Sequence, residues 1–266
     1  MNILQEISNL TRERIDARKR ALPLQKLKEL ASLCRASDGF PFEKALKSKG
    51  LSLICEVKRA SPSKGVIAEE FPYIDIARDY EVAGAAAISV LTEPHYFKGD
   101  DRHLREIADT VSIPLLRKDF TIDSYMIYEA KMLGASAVLL ICSLLDRKTL
   151  AEYIEIAHDL GLSALVEVHD EAELATALDA GARLIGANNR DLKTFVVDKG
   201  ISIRLRKLAP AEIIFVSESG VSTAEDVEVL RQNGVDAVLI GESLMRSPDK
   251  RAALAALRGI PSIHFD

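Results

Sequence analysis

A chain of 266 residues can bury a substantial core, and its length fits either two small domains or one α/β barrel. Its 35 Lys and Arg stand against 40 Asp and Glu, a net charge of −5 that argues against a general nucleic-acid or membrane binder but leaves room for a local anion site. Cys34, Cys55 and Cys142 lie far apart with no CxxC or Cys/His cluster, so neither a disulfide framework nor a zinc site is expected, and the usage fits a reducing cytoplasm.

In chain order, the amino end "MNILQEISNLTRERIDARKRALPLQKLKEL" lacks the uninterrupted apolar stretch of a signal peptide, so export is not expected. Ile3, Leu4, Ile7, Leu10 and Ile15 recur at helical spacing, with Arg12, Arg14, Arg18, Lys19 and Arg20 filling much of the remaining surface. This predicts a surface helix with a solvated basic face, the alternative being a lid or arm near an anionic ligand. Pro23 interrupts the pattern, and Leu24, Leu27, Leu30 and Leu33 predict a second helix.

From Leu51 onward a unit recurs: a helical stretch, a glycine with small residues, then an apolar run of strand length. The copies are "GAAAISVL" from Gly84, "GASAVLLI" from Gly134, "GLSALVEV" from Gly161, "GARLIGAN" from Gly181 and "GVDAVLIG" from Gly234. A glycine closing a helix and leading directly into a buried strand is the αβ joint of a parallel sheet. With "LSLICEV", "IPLLRKDF" and "EIIFVSES" the strands come to eight, separated by amphipathic segments such as "DIARDYEVA" and "SYMIYEAKML". The pattern predicts an α/β fold, a (βα)8 TIM barrel over residues 49–266 with a helical extension at 1–48. An open doubly wound sheet is the alternative, but the GxGxxG turn that would mark its nucleotide site is absent.

Charges collect at the carboxyl ends of these strands, where such barrels carry their chemistry. Strand one ends in Glu56, Lys58 and Arg59, strand three in Arg117, Lys118 and Asp119, and strand five in Glu167, His169 and Asp170. Strand six ends in Asn188, Asn189, Arg190 and Asp191, and strand seven in Ser217, Glu218 and Ser219. These polar groups are expected to share one space. Glu56 and Lys58 are two apart, so they point along the barrel axis while Val57 and Cys55 face the helices. Gly220 and Gly241 follow the last two strands, where backbone N–H groups of barrels often hold phosphate, and Ser61 could add a hydroxyl. Glu242 is an awkward phosphate neighbour, and its side chain is expected to turn away while its backbone binds. Pro62 and Gly65 make "RASPSKGVIAEEF" a credible hinge around a ligand.

The runs "CEVKRASPSKG", "SVLTEPHYFKG", "LLRKDF", "LVEVHDE", "IGANNRDL", "VSESG" and "LIGESLM" together resemble the indole-3-glycerol phosphate synthase family over nearly the whole chain. The resemblance implies ring closure of 1-(2-carboxyphenylamino)-1-deoxyribulose 5-phosphate, with loss of carbon dioxide and water, by acid–base catalysis without a cofactor or metal. It implies Lys118 as the general acid that protonates the ketone and assists loss of hydroxyl, and Glu167 as the base of dehydration. Lys58 would position the substrate carboxylate and could share proton transfer, Glu56 would orient these lysines and hold the substrate hydroxyls, and Asn188 would orient the reacting groups. Arg190 would contact the anthranilate carboxylate, Glu218 and Ser219 would complete the polar mouth, and Ser61, Gly220, Gly241 and Glu242 would lie on the phosphate side. The implied partner is a small phosphorylated substrate, in a cytoplasmic monomer that could associate with other tryptophan-pathway enzymes. For this chemistry Lys58 is expected to lower the pKa of Lys118, and the apolar strand around Glu167 to raise that of the carboxyl.

A Schiff-base aldolase, with an inward lysine attacking a carbonyl, and a catalytically silent phosphate-binding barrel are the alternatives. A neighbouring isomerase would need a Cys/Asp pair that has no clear counterpart here. His95, His103, His158 and His264 are assigned to surface or packing roles, and His169 is a candidate for orienting the mouth. Met126, Met132 and Met245 are assigned to packing.

Overall fold

The computed structural model describes residues 3–34, 39–47, 50–191 and 194–259; the expected boundary at 48 and 49, and His264, lie outside them. Three helices come first: α1 (Ile3–Ala21), α2 (Leu24–Leu33) and α3 (Pro41–Leu46). Eight parallel strands follow: β1 (Ser52–Val57), β2 (Ala87–Leu91), β3 (Leu115–Lys118), β4 (Ala137–Ile141), β5 (Ser163–Val168), β6 (Leu184–Asn188), β7 (Ile214–Glu218) and β8 (Ala237–Ile240). Each strand pairs with its neighbours in chain order and β8 pairs with β1, so the sheet closes into a TIM barrel. Between and after them lie α4 (Tyr73–Val82), α5 (Asp101–Ala108), α6 (Ser124–Met132), α7 (Arg147–Asp159), α8 (Glu171–Asp179), α9 (Gly200–Leu208), α10 (Ala224–Gln232), α11 (Glu242–Arg246) and α12 (Lys250–Leu257). No helix among the described residues is long and apolar enough to cross a membrane.

The joints follow from the repeat. Gly84, Gly134, Gly161, Gly181 and Gly234 all have φ between +71° and +87°, a conformation that ends the helix and turns the chain into the next strand. At the other end, Asp100, Asp123, Asp146, Asp170, Thr223 and Asp249 each accept a backbone N–H of the helix they precede. A polar cap therefore separates each of these helices from the loop before it.

Alternation along the strands sorts the core into two shells. Leu53, Cys55, Val57, Val90, Val138, Leu140 and Val166 pack outward against the helices. Ile54, Leu116, Leu139, Leu165, Ile214 and Val216 fill the barrel interior, joined by Phe42 and Leu46 of α3. The Ser52 hydroxyl, at the amino end of β1, donates to Leu46 O at 3.2 Å, which places α3 as the floor under the strands' amino ends. The sequence patterns did not show this short helix: six residues carry too little periodicity. Met126 and Met245 are buried, and His103 packs against the Tyr73 ring at 4.3 Å.

The basic face of α1 is not solvated throughout. Arg14 pairs with Asp119 at 2.9 Å, Arg18 with Asp101 and Glu129 at 2.5 and 2.6 Å, and Lys19 with Asp123 at 2.5 Å. Of the alternative, a lid or arm near an anionic ligand, the structure shows a cover over the barrel mouth made by apolar residues, Ile3, Leu4 and Ile7, while Arg14, Arg18 and Lys19 meet carboxylates of the barrel. Periodicity located the basic residues but not the acidic partners from strand ends and helix caps that face them.

Candidate active site

The carboxyl ends of the strands surround a cavity of about 390 Å³, lined by Glu56, Lys58, Ser61, Lys118, Glu167, Asn188, Arg190, Glu218, Ser219, Gly220, Gly241 and Glu242. All twelve candidate residues border this one space. Arg117, Ser217 and Asn189 were expected to point there too, but the same alternation that sends Lys118 and Glu218 inward sends these outward, and Asp119, though it borders the cavity, gives its carboxylate to Arg14. Arg117 and Asp119 join the ion network under α1, and Asn189 and Ser217 hydrogen-bond one another and Ser202. Asp170 caps α8, Arg59 is exposed, and Asp191 accepts the Thr194 N–H in a turn.

At the centre, Lys118 Nζ lies 3.1 Å from Glu167 Oε2 and 3.1 Å from Glu218 Oε2, and all three side chains are largely buried. Gly186 of β6 is what lets two carboxylates meet one ammonium. A Cβ there would run into Glu218 Oε1 and lie 3.2 Å from Leu165 Cδ1, so only glycine leaves room for the glutamate. Asn188 Nδ2 donates to Glu167 Oε1 at 3.2 Å, while Asn188 Oδ1 accepts Ser219 Oγ at 2.9 Å and the Arg190 N–H at 3.0 Å. Ser219 holds φ of +67°, uncommon for a residue with a Cβ, and this turn keeps its hydroxyl on Asn188.

Electrostatics depart from two expectations. Lys58 is held by Glu56 at 2.5 Å, and Lys118 sits among carboxylates. Burial pushes the Lys118 pKa down, but Glu218, Glu167 and Glu56 together raise it above its ordinary value. For Glu167, burial pushes upward, yet Lys118, His169 and the Asn188 hydrogen bond bring its carboxyl below the usual range. The carboxyl tuned upward is Glu218: burial is the largest cause, Lys118 opposes it, Glu167 and Glu56 add to it, and the pKa is raised to about 7. Its Oε1 is buried without a hydrogen-bond partner among the described residues. Sequence could not make this distinction, because both glutamates end apolar strands.

A stability effect follows. Glu218 folds with a pKa above its unfolded value, so its ionised form opposes folding increasingly as pH rises from the ordinary carboxylate range through about 7. Glu218→Gln, which mimics the neutral acid, should melt higher than wild type at pH 8, by about 2–4 °C per kcal/mol recovered. At pH 5 calorimetry should find the difference largely gone.

Opposite the centre, Gly241 starts α11 beside the Glu56 and Lys58 pair. A Cβ at Gly241 would enter the Glu56 carboxylate and lie 3.0 Å from Lys58 Nζ. The Glu242 side chain pairs with Arg246 at 3.3 Å, and both residues line the cavity. Two features of the site were not anticipated. Ser243, next along α11, has a buried hydroxyl without a partner among the described residues. Phe97 and Phe120, ring centroids 6.0 Å apart, line an apolar wall. The roof of Ile3, Leu4 and Ile7 belongs to α1. Phe97 is placed by Glu93, whose carboxylate accepts the N–H groups of His95, Tyr96 and Phe97 at 2.8, 2.7 and 3.0 Å. In "TEPHYFKG" only the aromatic and the turn residues hinted at this. The loop "RASPSKG" is pinned by a short antiparallel pairing, Ala60–Ser61 with Gly65–Val66.

Solved structures share the fold at low identity. Thiamine phosphate pyrophosphorylase from Pyrococcus furiosus superposes with a TM-score of 0.60 at 20% identity, covering 79% of this chain and 95% of its own. KGPDC from Streptococcus mutans gives 0.63 at 12%, covering 79% and 96%. At the sequence level, the indole-3-glycerol phosphate synthase of Ruminiclostridium cellulolyticum is 58% identical over 97% of this chain and 99% of its own length. That of Endomicrobium trichonymphae is 51% identical over 96% and 99%. The family model described as indole-3-glycerol phosphate synthase matches residues 4–257, spanning nearly all of α1, all eight strands and the twelve candidate residues around the cavity. With this coverage and identity, the chain belongs to the indole-3-glycerol phosphate synthase family.

Proposed function

We propose that the cavity closes the indole ring of indole-3-glycerol phosphate from 1-(2-carboxyphenylamino)-1-deoxyribulose 5-phosphate, with Lys118 and the glutamates beside it moving the protons. The observation that carries this reading is one buried ammonium 3.1 Å from each of two buried carboxylates whose proton affinities are pushed apart. Such a pair supplies a base and an acid at the same pH.

The reaction needs no electron acceptor. The ring carbon attacks the ketone, carbon dioxide leaves from the anthranilate carboxylate, and water leaves as the indole becomes aromatic. As the carbonyl oxygen becomes an alkoxide it is more basic than any ammonium, so a Lys118 with a raised pKa still transfers its proton downhill. Glu167, ionised and oriented by Asn188, takes the proton lost in dehydration. Glu218, neutral over part of the physiological range, presents a carboxylic acid toward the departing hydroxyl. Lys58 and Arg190 supply cations for the substrate carboxylate, and Glu56 fixes Lys58. Phe97 and Phe120 offer a face for the aryl ring. Ser61, Gly220, Gly241 and the backbone at Glu242 form the phosphate side, the orphaned Ser243 hydroxyl being a further donor.

We further read residues 1–48 as an extension packed on a barrel of residues 49–266, working as a cytoplasmic monomer that could meet other enzymes of tryptophan synthesis. The direct test is to mix the purified chain with the substrate and follow indole fluorescence. Stoichiometric indole-3-glycerol phosphate is expected. A folded chain that binds the substrate without turnover would leave a silent barrel, and a borohydride-trapped adduct on Lys118 would favour the aldolase.

A further inference from the structure

His169 stands beyond the groups just assigned. It follows Glu167 by two residues and so turns to the same side of β5. Its Nδ1 is 3.1 Å from Glu173 Oε2, and the same oxygen accepts the His169 backbone N–H at 2.9 Å, which fixes the ring. A carboxylate only accepts, so Nδ1 carries a proton. Nε2 lies 3.5 Å from Glu167 Oε1, buried and without a hydrogen-bond partner among the described residues. Were Nε2 unprotonated, its lone pair would face a carboxylate oxygen inside a low-dielectric wall. The arrangement is satisfied when Nε2 also carries a proton, giving an imidazolium between two carboxylates.

We propose that His169 is a positioning residue for the base: its imidazolium, braced by Glu173, holds Glu167 ionised and oriented and thereby sets the acid limit of dehydration, and with it of indole formation. The proposal rests on the reading of Glu167 as the dehydration base. Burial works against the charged ring, but Glu173, Glu167 and Glu218 outweigh it and raise its pKa. The other charges nearby do not reverse this. Lys118 is engaged by Glu167 and Glu218, Asp170 is spent on the amino end of α8, and Arg204 of α9, across the outer cleft, pairs with Asp198 at 3.0 Å.

The sign follows from linkage. A cation beside Glu167 favours the carboxylate, so removing it raises the proton affinity of Glu167 and moves the acid limb of kcat to higher pH. His169→Gln should shift that limb upward by about one pH unit, costing roughly tenfold on the limb and under threefold well above it. Glu173→Gln, which removes the brace, should shift it the same way by less. A loss that is uniform across pH, or a limb that does not move, would overturn the proposal. Should His169→Gln fail to fold, NMR titration of the imidazole in the otherwise intact chain decides: its pKa should fall on Glu167→Gln, and an unchanged value contradicts the coupling. Absence of turnover in wild type would remove the reading of Glu167 itself, whereas normal turnover with an unshifted limb sinks only the role of His169.

Discussion

Lys118→Ala should lower kcat for indole formation by about 10²- to 10⁴-fold, the usual share of a positioned general acid. Substrate affinity should change far less, because the phosphate and carboxylate partners are elsewhere in the cavity. Alanine leaves Glu167 and Glu218 facing one another without the ammonium that now stands 3.1 Å from each. Glu218 already gains a proton near neutrality, so the pair relaxes by protonation and the fold survives. Lys118→Arg separates two roles. It keeps a cation between the glutamates but does not release a proton in a protein, so it should remain as inactive as alanine. Single-turnover kinetics and calorimetry on both variants check this. Recovery of activity in the arginine variant would mean that Lys118 acts through its charge alone.

Arg117→Ala carries the largest expected loss of stability. Its guanidinium, 1% exposed, donates to Asp101 at 2.8 Å, Glu129 at 2.7 Å and Met126 O at 2.9 Å, and lies 3.7 Å from Asp119. Burial works against its charge, and these three carboxylates more than offset it, raising its pKa. Asp119 itself, pushed up by burial, is held below the ordinary range by Arg14 and Arg117. Deleting Arg117 leaves three carboxylates, Asp119 fully buried among them, to share Arg14 and Arg18, at a cost of about 3–5 kcal/mol. For a chain of this size that is a fall in Tm on the order of 10 °C. The substitution also loosens the anchor of α1, since Asp119 binds Arg14 and Asp101 and Glu129 bind Arg18. A melting point within a degree of wild type would show that the network contributes little.

The barrel was legible in the sequence because its joints repeat. Five glycines in the same relation to an apolar run leave few folds, and Glu56 and Lys58 two apart on a strand point to the mouth by alternation alone. The candidate site was legible to the extent that it sits on strand ends. Alternation, applied equally strictly to "LLRKDF", also separates Lys118 from its outward neighbour Arg117. What stayed hidden depends on contacts distant in sequence. The α3 floor and the pairing of Arg14 with Asp119 are of this kind, the latter joining residues 105 positions apart. The opposite tuning of Glu167 and Glu218 is set by where Lys118, His169 and Asn188 come to rest in space. No local pattern distinguishes a glutamate with three favourable partners from one with a bare oxygen in a dry wall.

The assignment of Lys118 and Glu167 to different steps is tested most directly by quenching Glu167→Gln after a single turnover and measuring carbon dioxide and indole in the same sample. In the proposed order, ring closure and decarboxylation precede the dehydration assigned to Glu167. The variant should therefore release close to one equivalent of carbon dioxide per site while indole formation lags far behind. Loss of both products to the same extent would contradict the division, and would place Glu167 at ring closure together with Lys118.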